Sequence, residues 1–233
     1  MNEAIILAGG KGTRLKSVLS DIPKCMAPVN GKPFLYFVLR YLQKHNVGKA
    51  YISVGYLRDY VINNLNYNFD LEIQFVSELE PLGTGGAIKY ALSHTKNDKV
   101  FVLNGDTIFN VNLNQMLDVH NTTQADITIA TKTVDDISRY GSIDTDKTGR
   151  IEKFVEKQAN CHKSGLINGG IYILNRNVLS EMEEKVFSME NDFLKKYTQK
   201  YHFQSFKSDG EFLDIGIPSD YAKADDFIRS LNL

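Results

Sequence analysis

The sequence predicts an α/β fold built on a mixed, mostly parallel sheet with helices on both faces, and three observations lead to it. Ala4-Ile5-Ile6-Leu7 is a short, continuous, β-compatible apolar run that stops in glycine, the pattern of a strand buried on both faces. Downstream, apolar runs alternate with helical stretches in a βαβαβ rhythm, which parallel strands need for their crossovers. A further run, Lys99 to Asn104, leads into Gly105-Asp106, so a carboxylate arrives at the carboxyl end of a strand, where open α/β sheets bind ligands.

In chain order, the first strand gives way to Gly9-Gly10-Lys11-Gly12-Thr13-Arg14, and Asp21 to Pro28 follows as an extended segment stiffened by Pro23 and Pro28. Asn30-Gly31 is a turn before a helix from Pro33 to His45. That helix is apolar nearly all round (Phe34, Leu35, Phe37, Val38, Leu39, Tyr41, Leu42), so it must be covered on more than one side. A strand from Ala50 to Val54, a helix from Asp59 to Leu65 and a strand from Leu71 to Val76 complete the rhythm, and by composition Glu80 to Ala87 is a loop and helix start beyond it. Asp126 to Lys132 is another strand. From Arg139 the pattern changes to short strands and turns. Ile151 to Glu156 alternates apolar and polar, and Leu166 to Ile173 returns as a strand whose Gly169-Gly170 permits close approach of a ligand. Short helices are expected from Val178 to Met182 and from Asn191 to Tyr201, then a strand from Phe203 to Lys207. Phe212-Leu213-Asp214 brings a second acid to a strand end, and Ser219 is expected to cap a closing helix that turns Tyr221, Ala224, Phe227, Ile228 and Leu231 inward.

One domain spanning 1–233 is expected, because a single α/β unit reaches this size and buries enough surface to fold without disulfide or structural metal. Cys25 and Cys161 are too few for a disulfide framework and suit a reducing, cytoplasmic setting. With 27 basic and 28 acidic side chains the net charge is −1, which argues against nucleic acid as the partner. No charged leader or membrane-length apolar run is found, so no membrane partner is expected. The five histidines are scattered without ligand spacing and read as structural or surface residues.

The glycine loop asks for more than a turn. Gly9, Gly10 and Gly12 let backbone N–H groups converge and keep side chains away, as a phosphate cradle requires, while Lys11 and Arg14 bring positive charge. Two familiar phosphate loops are excluded: no lysine follows the last glycine, as a Walker A loop needs, and Leu15 stands where a dinucleotide fingerprint needs its third glycine.

The loop G-G-x-G-T-R-L with Pro23-Lys24 behind it resembles the nucleotidyltransferases that activate sugar 1-phosphates, and the likeness covers nearly the whole chain. It implies a Rossmann-like, GT-A-like fold, without the left-handed β-helix that many relatives carry afterwards, since no hexapeptide repeat occurs. It also implies a mainly nucleotide-binding half, 1–135, and a mainly sugar-binding half, 136–233. By this resemblance, Leu7, Gly9, Gly10, Lys11, Gly12, Thr13, Gly83, Thr84 and Gly85 bind the nucleotide, and Arg14 and Lys24 are catalytic. Gly141, Glu156 and Asn168 take sugar hydroxyls, Lys157 takes the sugar phosphate, and Asp106 and Asp214 hold Mg²⁺. Two departures are Cys25 after P-K and Gln158 after E-K, where relatives usually have proline; neither changes a charge.

The implied reaction is attack of a sugar 1-phosphate on the α-phosphorus of a nucleoside triphosphate, with release of pyrophosphate. A phosphate monoester has its second pKa near ~6, so the nucleophile is already ionised and no general base is needed. Within the family, D-I-P-K, N-G-K-P-F-L, E-P-L-G-T-G-G-A-I, L-N-G-D-T, R-Y-G, G-L-I-N-G-G-I-Y and D-I-G-I-P look most like the short bacterial D-glycero-α-D-manno-heptose 1-phosphate guanylyltransferases. GTP and that heptose phosphate are then the expected substrates, in nucleotide-sugar supply for polysaccharide biosynthesis. Uridylyltransferases acting on hexose or amino-sugar phosphates share much of the set. A metal-dependent glycosyltransferase is the competing enzyme class, and a catalytically dead nucleotide-binding module the competing non-enzyme; retention of Arg14, Lys24, Asp106 and Asp214 speaks against the latter. A homodimer is left open.

Overall fold

The structure is a computed structural model and describes residues 1–10, 15, 19, 21–155 and 161–233. In chain order the elements are β1 (Asn2–Leu7), a 3₁₀ turn (Lys24–Met26), β2 (Pro28–Val29), β3 (Lys32–Pro33), α1 (Phe34–Lys44), β4 (Val47–Val54), α2 (Arg58–Asn64), β5 (Glu72–Ser77), α3 (Gly83–Leu92), β6 (Lys99–Asn104), β7 (Thr107–Phe109) and α4 (Leu113–Thr123). There follow β8 (Ile127–Val134), β9 (Ser142–Thr145), β10 (Ile151–Val155), β11 (Gly165–Asn175), a π-helical turn (Met189–Leu194), α5 (Lys195–Tyr197), β12 (Phe203–Lys207), β13 (Phe212–Asp214), α6 (Pro218–Tyr221) and α7 (Ala224–Ser230).

Nine strands form the main sheet, in the order β10-β9-β11-β6-β1-β4-β5, with β8 against β11 and β12 against β8. β6, β1, β4 and β5 run parallel, as the βαβ rhythm requires. The second half reverses direction: β11 is antiparallel to β6, β8 and β9. Along β1, Ala4 and Ile6 join one apolar cluster while Ile5 joins the other, the two-residue period of a strand covered on both faces. Helices α1, α2, α4 and α7 cover the first face; α3 and the segment from Val178 to Phe203 cover the second.

Helix α1 is covered as its composition demands. Phe34, Leu35, Val38, Leu39 and Leu42 have no exposed surface, and each contributes roughly 1.5–3 kcal/mol by leaving water. Tyr41 donates its hydroxyl to the Val111 carbonyl at 2.7 Å, so its one polar atom is satisfied inside the core.

Several local expectations are corrected. Val178 to Met182 is a series of turns rather than a helix: the N–H groups of Val178, Ser180 and Met182 bond three residues back, and the Arg176 N–H is tied to the Asp98 carbonyl. The helix expected from Asn191 starts at Met189 as a π-turn, since Ser188 accepts the Asn191 N–H while Asp192 accepts the Ser188 N–H. The closing helix is two pieces, and Ile217 rather than Ser219 precedes it, with Pro218 in the first turn where a missing N–H costs nothing. Helix α4 was not foreseen, although Asn112 caps it by accepting the Asn114 and Gln115 N–H groups.

Candidate active site

The parallel strands end along one edge, and their following loops build a groove of about 510 Å³. Leu7, Gly9 and Gly10 after β1, Gly55 and Tyr56 after β4, Glu78 to Pro81 after β5, and Gly83, Thr84 and Ala87 of α3 line it. Gly9 is closely packed: a β-carbon there would stand 3.0 Å from Glu78 Oε1 and 3.2 Å from the Gly55 nitrogen, so both would have to give way by a few tenths of an ångström. Gly83 opens α3 at φ +71°, and a β-carbon would lie 2.6 Å from the Phe187 carbonyl oxygen. Gly85 does not face the groove; its N–H bonds the Phe187 carbonyl at 2.9 Å, so its place in the glycine run serves packing. Lys11, Gly12, Thr13, Arg14, Glu156 and Lys157 lie outside the described residues.

Glu78 is a groove residue that the sequence reading missed. Its Oε1 accepts from Ser53 Oγ at 2.9 Å and its Oε2 from the Leu82 N–H at 3.2 Å, so the carboxylate is held with lone pairs still open to a ligand. Glu78 and Glu80 both line the groove, which makes that wall acidic.

A second cavity of about 330 Å³ adjoins the first at Thr84, which lines both. Its walls include Lys24, Asn104, Asp106, Gly141, Asn168, Glu190, Asn191 and Asp214, with Tyr140, Phe154 and Phe212 as its aromatic side. Strand pairing creates its acidic end. β13 runs antiparallel to β7 with Asp214 opposite Thr107, which puts Asp214 beside Asp106. Gly216 N–H donates to Asp214 Oδ1 at 2.7 Å and Thr107 Oγ1 to Asp106 Oδ1 at 3.2 Å, fixing both carboxylates.

Lys24 reaches between them, its Nζ 2.5 Å from Asp106 Oδ2 and 3.2 Å from Asp214 Oδ1. The segment expected to be extended from Asp21 to Pro28 instead forms a 3₁₀ turn at Lys24–Met26, closed by Met26 N–H on the Pro23 carbonyl and Ala27 N–H on the Lys24 carbonyl. Cys25, the next residue, points the other way: its thiol lies 3.8 Å from the Ala8 carbonyl, and burial, reinforced by the Asp106 charge, pushes it up to about 12. It is a protonated packing group, not a nucleophile.

Across the cavity, Asn168 donates from Nδ2 to the Tyr172 hydroxyl at 2.6 Å, and its own N–H bonds the Gly141 carbonyl at 3.0 Å. The register of β11 against β8 slips between Asn168 and Tyr172, which lets the double glycine pass close under Asn104 and Phe109. Arg139 pairs with Asp220 at 2.6 Å, and the Tyr140 ring meets Phe212 edge-on at 5.7 Å. Burial raises the Tyr140 hydroxyl, so it stays a neutral phenol.

Two carboxylates converging on one ammonium leave a net negative charge open to a hard cation, and oxygen-only donors suit a divalent ion that completes its shell with phosphate. Among the described residues no third acid, histidine or cysteine joins them within metal-binding range. Two adjoining cavities, one lined by glycines at the strand ends and the other holding a lysine between two aspartates, make up the candidate site.

The chain belongs to the nucleotidyl transferase family, whose model matches residues 3–230. It is 43% identical over 224 residues to a D-glycero-α-D-manno-heptose 1-phosphate guanylyltransferase of Aneurinibacillus thermoaerophilus, covering 95% of this chain and 96% of that one. A protein of the same description from Campylobacter jejuni is 41% identical, with 94% and 96% covered. Among solved structures, HddC from Yersinia pseudotuberculosis complexed with GMP-PN superposes with a TM-score of 0.87 at 39% identity, covering 97% of this chain and 99% of that one. Among the described residues no helix is long and apolar enough to cross a membrane.

Proposed function

We propose that the chain transfers a guanylyl group from GTP to D-glycero-α-D-manno-heptose 1-phosphate, giving a GDP-heptose and pyrophosphate. One observation carries the reading: Lys24 lies between Asp106 and Asp214 in the second cavity, and Thr84 joins that cavity to the glycine-lined groove. The triphosphate lies in the groove, lined wholly from 1–135, and the sugar phosphate in the second cavity, where Lys24, Thr84, Asn104 and Asp106 join residues of the mainly sugar-binding half 136–233. The relatives named for this guanylyl transfer, and the GMP-PN complex of HddC, support the choice of substrates.

An oxygen of the sugar phosphate attacks the α-phosphorus while the bond to the β-phosphate oxygen breaks. No proton has to be removed, and none of the cavity residues is a histidine. The obstacle is repulsion between two polyanions, which preorganised charge and backbone amides offset. Lys24 sits where negative charge gathers on the α-phosphate; Arg14 and the glycine loop, by resemblance, take the departing pyrophosphate, and Lys157 the incoming phosphate. Asp106 and Asp214 are the residues that would hold Mg²⁺, which when bound supplies charge screening and alignment of the two phosphates. Glu78 offers a carboxylate to the N1–H and N2–H₂ donors that guanine has and uracil lacks together.

The acidic base wall favours guanine over uracil, and the chain is assigned to the cytoplasm, where GTP and reduced Cys25 and Cys161 belong together. Pyrophosphate release over a matrix of GTP, UTP, CTP and ATP against heptose, mannose and glucose 1-phosphates tests the reading. Release with GTP and the heptose phosphate is expected. Greater release with UTP, or none with the heptose beside full activity on mannose 1-phosphate, would overturn the substrate assignment.

A further inference from the structure

Glu190 belongs to no motif singled out above, yet it lines the second cavity beside Asn191. Its Oε2 accepts from Thr84 Oγ1 at 2.8 Å and from Ser188 Oγ at 3.0 Å. Among the described residues Oε1 accepts no hydrogen bond, so one oxygen anchors the carboxylate and the other is left for a ligand. The anchor is built from several pieces. Met189 N–H donates to Thr84 Oγ1 at 2.8 Å, Asn191 N–H to Ser188 Oγ at 3.1 Å, and Ser188 N–H to Asp192 Oδ2 at 2.9 Å. A carboxylate whose neighbours are fixed in this way is preorganised to read a ligand rather than free to swing.

Charge decides which ligand. Glu190 is not a third member of the Asp106–Asp214 pair, since no cluster of three such side chains within metal-binding range exists among the described residues. Nor can it face a phosphate dianion, which a fixed carboxylate repels. The cavity therefore has two ends of different chemistry: Lys24 with the two aspartates suits the phosphate and a cation, and Glu190 with Asn191 suits a neutral hydrogen-bond donor. On the acceptor assigned above, the neutral donors are hydroxyls.

We infer that Glu190 is an acceptor-reading residue whose Oε1 takes hydroxyl donors of the sugar, with Asn191 beside it, while its Oε2 holds the Thr84 hydroxyl at the border with the nucleotide groove. This rests on the second cavity being the sugar 1-phosphate site. It adds a contact from the π-turn Met189–Leu194 to those that the resemblance implies at Gly141, Glu156 and Asn168.

Steady-state kinetics of Glu190→Gln and Asn191→Ala with GTP and D-glycero-α-D-manno-heptose 1-phosphate test it, after thermal melting has established that each variant folds. Glu190→Gln replaces the carboxylate with an isosteric amide. It should raise KM for the sugar phosphate roughly 10- to 100-fold, the range of a hydrogen bond to a charged group, and leave kcat and the KM for GTP within about threefold. Asn191→Ala, on an exposed side chain, should raise the same KM by a smaller factor. A rise confined to the KM for GTP would mean that Glu190 acts only through Thr84, and unchanged constants would mean that it reads nothing; either overturns the inference. If the unmodified protein turned over no sugar 1-phosphate at all, the proposed function would fall instead, and the two failures are thereby distinguished.

Discussion

Asp106 and Asp214 are brought side by side by the antiparallel pairing of β7 with β13, and the ammonium of Lys24 stands between them, 2.5 Å from one and 3.2 Å from the other. Two part-buried carboxylates sharing one lysine have room for more positive charge, which is the electrostatic basis of the proposed metal site.

Asp106→Asn and Asp214→Asn each remove one anionic ligand without changing shape. Each should lower Mg²⁺-dependent pyrophosphate release by about 10²-fold or more and leave the melting temperature close to that of the unmodified protein. A variant with near-normal rates at limiting Mg²⁺ would take that residue out of the metal site.

Lys24→Ala has two opposed effects. It removes the charge assigned to the α-phosphate, so kcat should fall about 10²-fold while the KM for GTP changes little. It also removes the cation that competes for Asp106 and Asp214, so half-maximal activity should be reached at lower Mg²⁺ than in the unmodified protein. Slower turnover with an unchanged or higher Mg²⁺ requirement would show that Lys24 does not share its carboxylates with the metal.

This arrangement marks the boundary of what could be read in the sequence. The buried run Ala4 to Leu7, the βαβ rhythm and the strand ending at Asn104 were legible because each is a local pattern, and the two aspartates stood out as acids at strand ends. That Lys24 bonds both of them was not legible, because the contacts span 82 and 190 residues and depend on the return of the Pro23 segment. Glu78 was passed over for a similar reason. Ser77-Glu78-Leu79-Glu80 offers two acids, and only the seating of Glu78 on Ser53 decides how its carboxylate is held. Glu190 gave no signal at all, since its role depends on Thr84, 106 residues away. Helix α4 could have been found from Asn112 followed by Leu113, Met116 and Leu117 at helical spacing.

Gly83→Ala tests the backbone at the start of α3. Alanine at φ +71° pays about 1–2 kcal/mol for the left-handed conformation, and its β-carbon meets the Phe187 carbonyl oxygen at 2.6 Å. The melting temperature should fall by at least about 3–6 °C for a chain of this size, and the KM for GTP should rise because Gly83 and Thr84 border the groove. An unchanged melting curve would mean that the turn relaxes without cost.

Cys25 gives a pH dependence of definite sign. Its thiol is raised to about 12 in the folded chain, against an ordinary value of 9.0, first by burial and then by the Asp106 charge. Because the folded state holds the proton more tightly, this contribution to stability is complete below pH 9 and is lost as pH rises toward 12. The buried Tyr41 hydroxyl is also raised by burial and adds to the same alkaline loss. Denaturant melts should therefore show stability falling above about pH 9, and Cys25→Ala should flatten part of that fall. Cys25 should also resist alkylation at neutral pH until the protein is unfolded; rapid modification of the native chain would contradict its burial.

Glu78→Gln bears on the choice of base. The carboxylate is fixed by Ser53 Oγ and the Leu82 N–H, and both of its oxygens retain lone pairs toward the groove. Guanine presents two adjacent donors, N1–H and the exocyclic amine, which a carboxylate can accept together. An amide can accept with one atom only, and its NH₂ would meet a guanine donor. The Leu82 N–H would also lose its acceptor if the amide nitrogen took the place of Oε2, so the rotamer with oxygen toward Leu82 is the one the protein itself favours. That choice leaves the amide nitrogen at the Oε1 position, next to Ser53, whose hydroxyl can reverse and accept. The variant should therefore fold normally and still lose guanine: kcat/KM for GTP should drop about 10²-fold, with a smaller change for UTP, whose ring has a carbonyl acceptor to offer the new NH₂. The ratio of kcat/KM for GTP to that for UTP, measured with the same sugar phosphate, is the decisive quantity. If it stays where it is in the unmodified protein, the base is read by backbone groups of the 80–87 segment and not by Glu78.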